Sequence, residues 1–222
     1  MPLRSVLSVC AIALAVAFAF PAGDAGADAL ETVASSPDYA MNGVTVTAGG
    51  RVFVSIPQWT SVDSPSVAEI SSDGTITSYP GGEWNRFDLS QPMDRFVNVN
   101  AVHADGHGGL WAVDYAGPRF GPSIEGAQKL VRIDLATNQV SRVYRFDETV
   151  LPEGARLNDV RVDADRGIAY LSEFGVGAII VLDIETGEAF RALDRHHSTR
   201  AHPDVVTTFL GEPFRTDFLQ VN

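Results

Sequence analysis

Three stretches of this chain decide its fold: residues 42–55, NGVTVTAGGRVFVS; residues 100–113, NAVHADGHGGLWAV; and residues 158–171, NDVRVDADRGIAYL. They align without a gap, each beginning 58 residues after the last. Asn42, Asn100 and Asn158 open the three copies, Val44, Val102 and Val160 follow two residues on, and Val52, Leu110 and Ile168 begin a second apolar run. The first half of each copy alternates apolar and polar residues, as a half-buried strand does. A Gly/Asp-rich turn follows, and then a run such as RVFVS or LWAVD, whose β-branched and aromatic residues suit a second strand.

A second hairpin follows each copy. The stretch SVAEISSDGTITSYP pivots on Asp73-Gly74, QKLVRIDLATNQVSRVYRF on residues 136–138, and GAIIVLDIETGEAFRAL on Thr186-Gly187. Asx-Gly and similar pairs supply the positive φ that tight hairpins need. Each unit therefore reads as four antiparallel strands, and no long amphipathic helix interrupts them. Tandem four-stranded units predict an all-β chain folded as a β-propeller. A β-sandwich of short strands is the alternative, but it gives no reason for a 58-residue period. Units begin near 42, 100 and 158, and TDFLQVN reads as the opening strand of an incomplete fourth near 216. Propellers usually close with four to eight blades. About three blades and one strand predict a truncated ring, or self-association through open propeller edges.

The N-terminus reads differently. Arg4 precedes an apolar run from Val6 to Phe20, and AGADA follows. That order is a secretory signal peptide over residues 1–29, and the run falls short of the ~20 residues of a spanning helix. The expected mature domain is residues 30–222, secreted or periplasmic. Cys10, the one cysteine, lies inside the signal peptide, so the mature chain holds no thiol and its stability rests on packing. Removing Arg4, Asp24 and Asp28 turns the net charge from −12 to −11. An acidic chain argues against nucleic acid and anionic membranes and suits small molecules and cations as partners.

Several residues are candidates for chemistry. Innermost propeller strands line a central tunnel, where Asn42, Asn100 and Asn158 recur; with Asp217 they offer oxygens to a hard cation such as Ca²⁺, which takes six to eight. The alternative is that the asparagines bond to nearby backbone. Trp59, Trp84, Trp111, Tyr115 and Phe174 are candidate aromatic walls for a small ligand, or packing residues between blades. Asp114 and Glu173 follow the second strand of their units, where a carboxylate would pair with an amine or stand in solvent. His103 and His107, and the group His196, His197 and His202, read as strand, turn and loop residues, with a transition-metal site as the other possibility. VDADRGIAYLSE departs from an EF-hand loop, with Gly167 at the third ligand position and Ile168 where the glycine belongs. Ser55 and Ser172 have no assigned base, and no catalytic residue can be named.

The blocks RVFVSIPQW, GGEWN, VNAVHADGHGGLWAVDYAG, GAQKLVRIDLATNQVSRVYRFD, LNDVRVD and GIAYLSEFGVGAIIVLDIETGEA, taken in order, resemble the yellow / major royal jelly protein family in its bacterial branch. The resemblance implies a secreted six-bladed propeller, for which ~58 residues per blade require roughly 350 residues. It also implies a small-molecule role: members resemble dopachrome-converting (L-dopachrome tautomerase-related) proteins, amine-binding salivary proteins and royal jelly proteins. On that basis Asp114, Trp111, Tyr115 and Glu173 are the expected ligand contacts. More distantly, the chain resembles gluconolactonase-like propellers, in which Asn100, Asn158 and Asp217 match metal-binding positions. Such a metal would polarise a lactone carbonyl and acidify a bound water. The expectations are therefore binding or conversion of an aromatic amine or dopachrome-like compound, a metal-dependent lactonase-like hydrolase, or a noncatalytic extracellular protein.

Overall fold

A computed structural model describes residues 32–59, 64–202 and 204–214. The signal peptide, Asp217 and the stretch TDFLQVN lie outside these residues. All described residues after Thr32 belong to one compact unit. No helix among them is long and apolar enough to cross a membrane.

Three four-stranded antiparallel sheets follow one another along the chain, each in simple up-and-down order. The first holds β1 (Val44–Val46), β2 (Val52–Ser55), β3 (Val67–Ile70) and β4 (Ile76–Ser78). The second holds β5 (Val99–Ala104), β6 (Gly109–Asp114), β7 (Lys129–Asp134) and β8 (Gln139–Arg145). The third holds β9 (Leu157–Asp163), β10 (Ile168–Glu173), β11 (Ala178–Asp183) and β12 (Ala189–Ala192). A short pair, β13 (Thr207–Phe209) and β14 (Glu212–Phe214), comes next. The hairpin pivots use positive φ at Gly74 (83°), Asn138 (56°) and Gly187 (83°).

The first strand of each sheet lies against the first strand of the next, β1 on β5 and β5 on β9. The sheets are thus propeller blades, innermost strands together. Phe53, Val67 and Tyr79 of the first blade meet Val102, Leu110, Ala112 and Val131 of the second. Trp111, Val113, Leu130 and Tyr144 meet Val160, Ala169, Leu171 and Ile180 of the third. Each strand therefore sends alternate residues to opposite neighbours, which is why the second strands are apolar on both sides. The other face of the first blade packs Val54, Ala68 and Ile70 under Ala34, Tyr39 and Met41.

The structure corrects the gapless alignment at one point. Val102 pairs with Ala112, whereas its repeat partner Val160 pairs with Leu171, one residue later than a strict 58. The third copy carries one extra residue in its turn. Ala169, not Ile168, therefore takes the place of Leu110; Tyr170 takes that of Trp111, and Glu173 that of Asp114. A one-residue slip would turn every side chain to the other face. Residue 169 keeps the core contact as a buried alanine, and Tyr170 stands 41% exposed.

Strand direction gives the molecule two faces. The short turns within hairpins, such as 105–108 and 135–138, share the turn face. The longer segments 115–128 and 146–156 share the loop face, as do the starts of β1, β5 and β9.

Candidate functional site

The asparagines stand where the innermost strands begin on the loop face. Pairing shifts register between Val99 and Ala101, so Asn100 occupies a β-bulge; pairing also shifts across Asn158 and Asp159. Bulges re-aim side chains, and here they aim them at the next blade. Asn42 Nδ2 donates to the Asn100 backbone oxygen at 2.8 Å and more weakly to its Oδ1 at 3.4 Å. Asn100 Nδ2 donates to Asn158 Oδ1 and, at 3.4 Å, to the Asn158 backbone oxygen. Two serines support the ladder. Ser55 Oγ accepts from Gly43 N–H at 2.8 Å and donates to the Asn100 carbonyl at 2.9 Å, and Ser172 Oγ accepts from Asp159 N–H at 3.1 Å.

This arrangement bears on the expected cation. The Asn158 side-chain oxygen already takes an amide proton, and the Asn100 oxygen faces the Asn42 amide. Among the described residues no three His, Cys, Asp or Glu side chains gather around a common point. A hard cation wants six to eight oxygens; among the described residues the asparagine amides bond one another. Asp217 lies outside the described residues.

The four expected ligand contacts are all inside the packing. Asp114 is wholly buried: it accepts from the N–H groups of Val97, Asn98 and Ala116 at 2.8–2.9 Å and pairs with the equally buried Lys129 at 2.9 Å. Lys129 spends its other protons on the carbonyls of Pro92 and Ala127. Glu173 repeats the design. Buried, it accepts from the N–H groups of Arg156, Gly175, Val176 and Gly177 and pairs with Arg191 at 3.0 Å. Each carboxylate ends a second strand and gathers the backbone donors of the loops around it, which a solvated turn residue would not do. Trp111 is 1% exposed and donates Nε1–H to Asp105 at 2.8 Å; Tyr115 is 4% exposed, and burial pushes its hydroxyl up to about 12.

The remaining candidates are dispersed. Trp59 stacks on Phe120 at 5.1 Å and Trp84 tilts against Phe96 at 5.2 Å. His103 points away from Val102 and Ala104, as strand alternation predicts; its half-burial pulls its pKa below the usual histidine value. His107 Nε2 sits 3.4 Å from Asp165, across the turns of the second and third blades. His196 lies against His197 at 4.0 Å and binds Ser198; His202 stands exposed near Asp204.

What sequence reasoning missed is a cavity of about 880 Å³ on the loop face, between segments 115–128 and 146–156. Glu125, Asp147, Glu148 and Glu153 line it with Phe146 and Leu151, and Arg156 is the one basic residue among its walls. Hydrogen bonds from Thr149, followed by those from Val150, hold the Asp147 carboxyl below the usual carboxylate range, so it stays charged. The signal was present in the acidic run FDETVLPEG, but it falls between repeat copies, where no periodicity draws attention to it.

Sequence comparison gives the family. The major royal jelly protein profile matches residues 97–217, just over half of the chain's 222 residues. The chain belongs to the major royal jelly protein family. No curated protein matches this family member in sequence. Its fold is similar to that of solved structures at low identity. One is the extracellular domain of a protein described as a hybrid two-component system from B. thetaiotaomicron (12% identity, TM-score 0.45, covering 68% of this chain and 16% of that one). Another is a catalytically inactive virginiamycin B lyase from Staphylococcus aureus with quinupristin (15%, 0.38, covering 73% and 58%). A third is a gluconolactonase from Xanthomonas campestris (15%, 0.33, covering 70% and 62%). This major royal jelly protein family chain spans less than two thirds of each of these proteins.

Proposed function

We propose that this chain is an exported propeller that binds a small cationic molecule of the aromatic amine class in the loop-face cavity. The observation that carries the reading is the lining: four carboxylates against one basic residue, with Phe146 and Leu151 as apolar wall. An ammonium group gains charge-assisted bonds from such a rim, and its ring gains contact with Phe146. The net charge, −12 for the whole chain and −11 without residues 1–29, adds long-range attraction for a cation. Export rests on the N-terminal leader read from the sequence, and cell fractionation with N-terminal sequencing of the product tests it.

The binding test is calorimetric titration of the full chain with tyramine, with 4-methylphenol as the uncharged control. Saturable tyramine binding that weakens with added salt, and that drops on Glu148→Gln/Glu153→Gln, is the expected result. Heat that never saturates at millimolar tyramine, or equal binding of the phenol, would sink the proposal.

A further inference from the structure

The internal repeat allows one blade junction to be compared with the next. On the face the first blade turns toward the second, a row of cross-strand partners runs Thr45, Phe53, Glu69, Thr77. On the face the second blade turns toward the third, the same row is His103, Trp111, Arg132, Arg142. In the first row Glu69 receives Arg51 through two bonds of 2.7 and 2.9 Å, so that junction closes its own charge. In the second row an arginine stands where Glu69 stood, and Arg132 and Arg142 are direct partners across β7 and β8. Like charges directly opposite one another destabilise a sheet. Breaks of a local rule of this kind concentrate at functional places.

This second row borders a cavity of about 330 Å³ on the turn face, between the second and third blades. Trp111 and Tyr144 form its stacked aromatic wall, ring centroids 5.9 Å apart. Arg132 lies over the Trp111 ring at 5.8 Å and Arg142 over the Tyr144 ring at 4.7 Å. Arg142 gives Nη1–H to the carbonyls of Ile184 and Glu185, and Arg132 gives Nη1–H to Ser141 Oγ at 3.1 Å. Among the described residues neither guanidinium has a carboxylate within ion-pair distance; Arg132 acts on Asp134 and Arg142 on Asp183 at longer range. Asp105, which also lines the cavity, is occupied by Trp111 Nε1–H and the N–H groups of His107 and Gly109. Asp134 and Asp183 are held by Thr137 and Thr186 in their own turns.

We propose that this inter-blade cavity binds a small organic carboxylate. Its charge supplies to Arg132 and Arg142 the counter-ion that Glu69 supplies one junction earlier, and its apolar part lies against Val162 and Ile184, in front of the buried rings of Trp111 and Tyr144. Guanidinium groups recognise carboxylates in planar, paired hydrogen bonds, and the apolar side chains beside them suit a small hydrophobic body. The site is on the face opposite the acidic cavity and does not rest on the amine proposal.

Sodium benzoate is the probe, with benzamide as the uncharged match of the same shape, each titrated into the full chain. Benzoate is expected to bind saturably below about 1 mM, to raise Tm and to change tryptophan fluorescence, while benzamide does none of these. Arg142→Gln weakens benzoate at least about tenfold, and Arg86→Gln, at an exposed arginine remote from the cavity, leaves it unchanged. Arg132→Glu sets a carboxylate directly opposite Arg142: it raises Tm without ligand and removes the benzoate response. Absence of saturation at 10-fold higher benzoate, equal binding of benzamide, or unaltered binding by Arg142→Gln would each overturn the site. So would Arg132→Glu that still binds benzoate as the parent chain does.

Discussion

The Asn100 side-chain amide donates to the side-chain oxygen of Asn158, its counterpart one blade on, just as Asn42 donates to Asn100. The repeated asparagine is therefore a tie between neighbouring blades at the propeller axis. Asn100→Ala removes both the donor to Asn158 and the Asn42 side-chain acceptor, and is expected to cost about 1–2 kcal/mol in urea unfolding. Asn100→Asp is expected to cost more, because it faces the Asn158 oxygen with an oxygen. Added calcium tests the competing role: a ladder held by its own bonds shows no calcium-dependent rise in Tm, and a rise abolished in Asn100→Ala would place a cation there.

Asp114 and Lys129 form an ion pair at 2.9 Å with both side chains fully buried. Lys129→Met leaves an unpaired carboxylate in the core and is expected to lower stability by about 3–5 kcal/mol. The double variant Asp114→Asn/Lys129→Met recovers part of that loss, since the amide oxygen still accepts from the loop N–H groups. Chemical denaturation of these two variants, of Asp114→Asn alone and of the parent completes the cycle; a double variant no better than Lys129→Met would show that the loop needs the full charge of Asp114.

Acid sensitivity follows from the turns. Asp73 is held down to about 2, first by Ser71 and then by Thr75. Asp134 and Asp147 are lowered by Thr137 and Thr149, and Asp183 first by the Thr186 backbone N–H. A carboxyl whose folded pKa lies below its unfolded one stabilises fully above the unfolded value and loses that contribution as pH falls through the folded one. His103, lowered by burial, adds a term of the same sign, complete above its unfolded value of 6.5 and lost as pH falls below it. Calorimetry should therefore show Tm falling mildly below neutrality and steeply between about pH 4 and pH 2. Asp73→Asn should flatten the lower limb; an unchanged profile would remove Asp73 from the account.

Gly175 lies where a side chain has no room, because a Cβ there would overlap the Gly154 carbonyl oxygen. Gly175→Ala should push segment 146–156 outward at a cost of about 3 kcal/mol. The same change should weaken tyramine binding, which Gly81→Ala, at a negative φ with open space around it, would leave intact.

The blades were legible because their signals are local and recur: asparagine at the start, alternation, turn, apolar run. The slip in the third copy was not, since an extra turn residue and a strand displacement look the same in an ungapped alignment. Asp114 and Glu173 could be placed at strand ends, but their burial depends on loops that return to them from residues 97–98 and 175–177. The acidic cavity arises where two irregular segments meet, 115–128 and 146–156, and neither carries a pattern of its own. The Arg132–Arg142 opposition is written in the sequence only once the β7–β8 register is known.

The ladder has a direction. Asn42 and Asn100 each offer an amide to the next blade, and Asn100 and Asn158 each accept one from the blade before, so the described junctions run donor to acceptor in one sense. Duplicating or deleting one complete unit would leave donor facing acceptor across every junction. A change of any other length would not. The ladder is thus strict about blade phase, a grammar in which whole repeats can be gained or lost without changing the bond between neighbours.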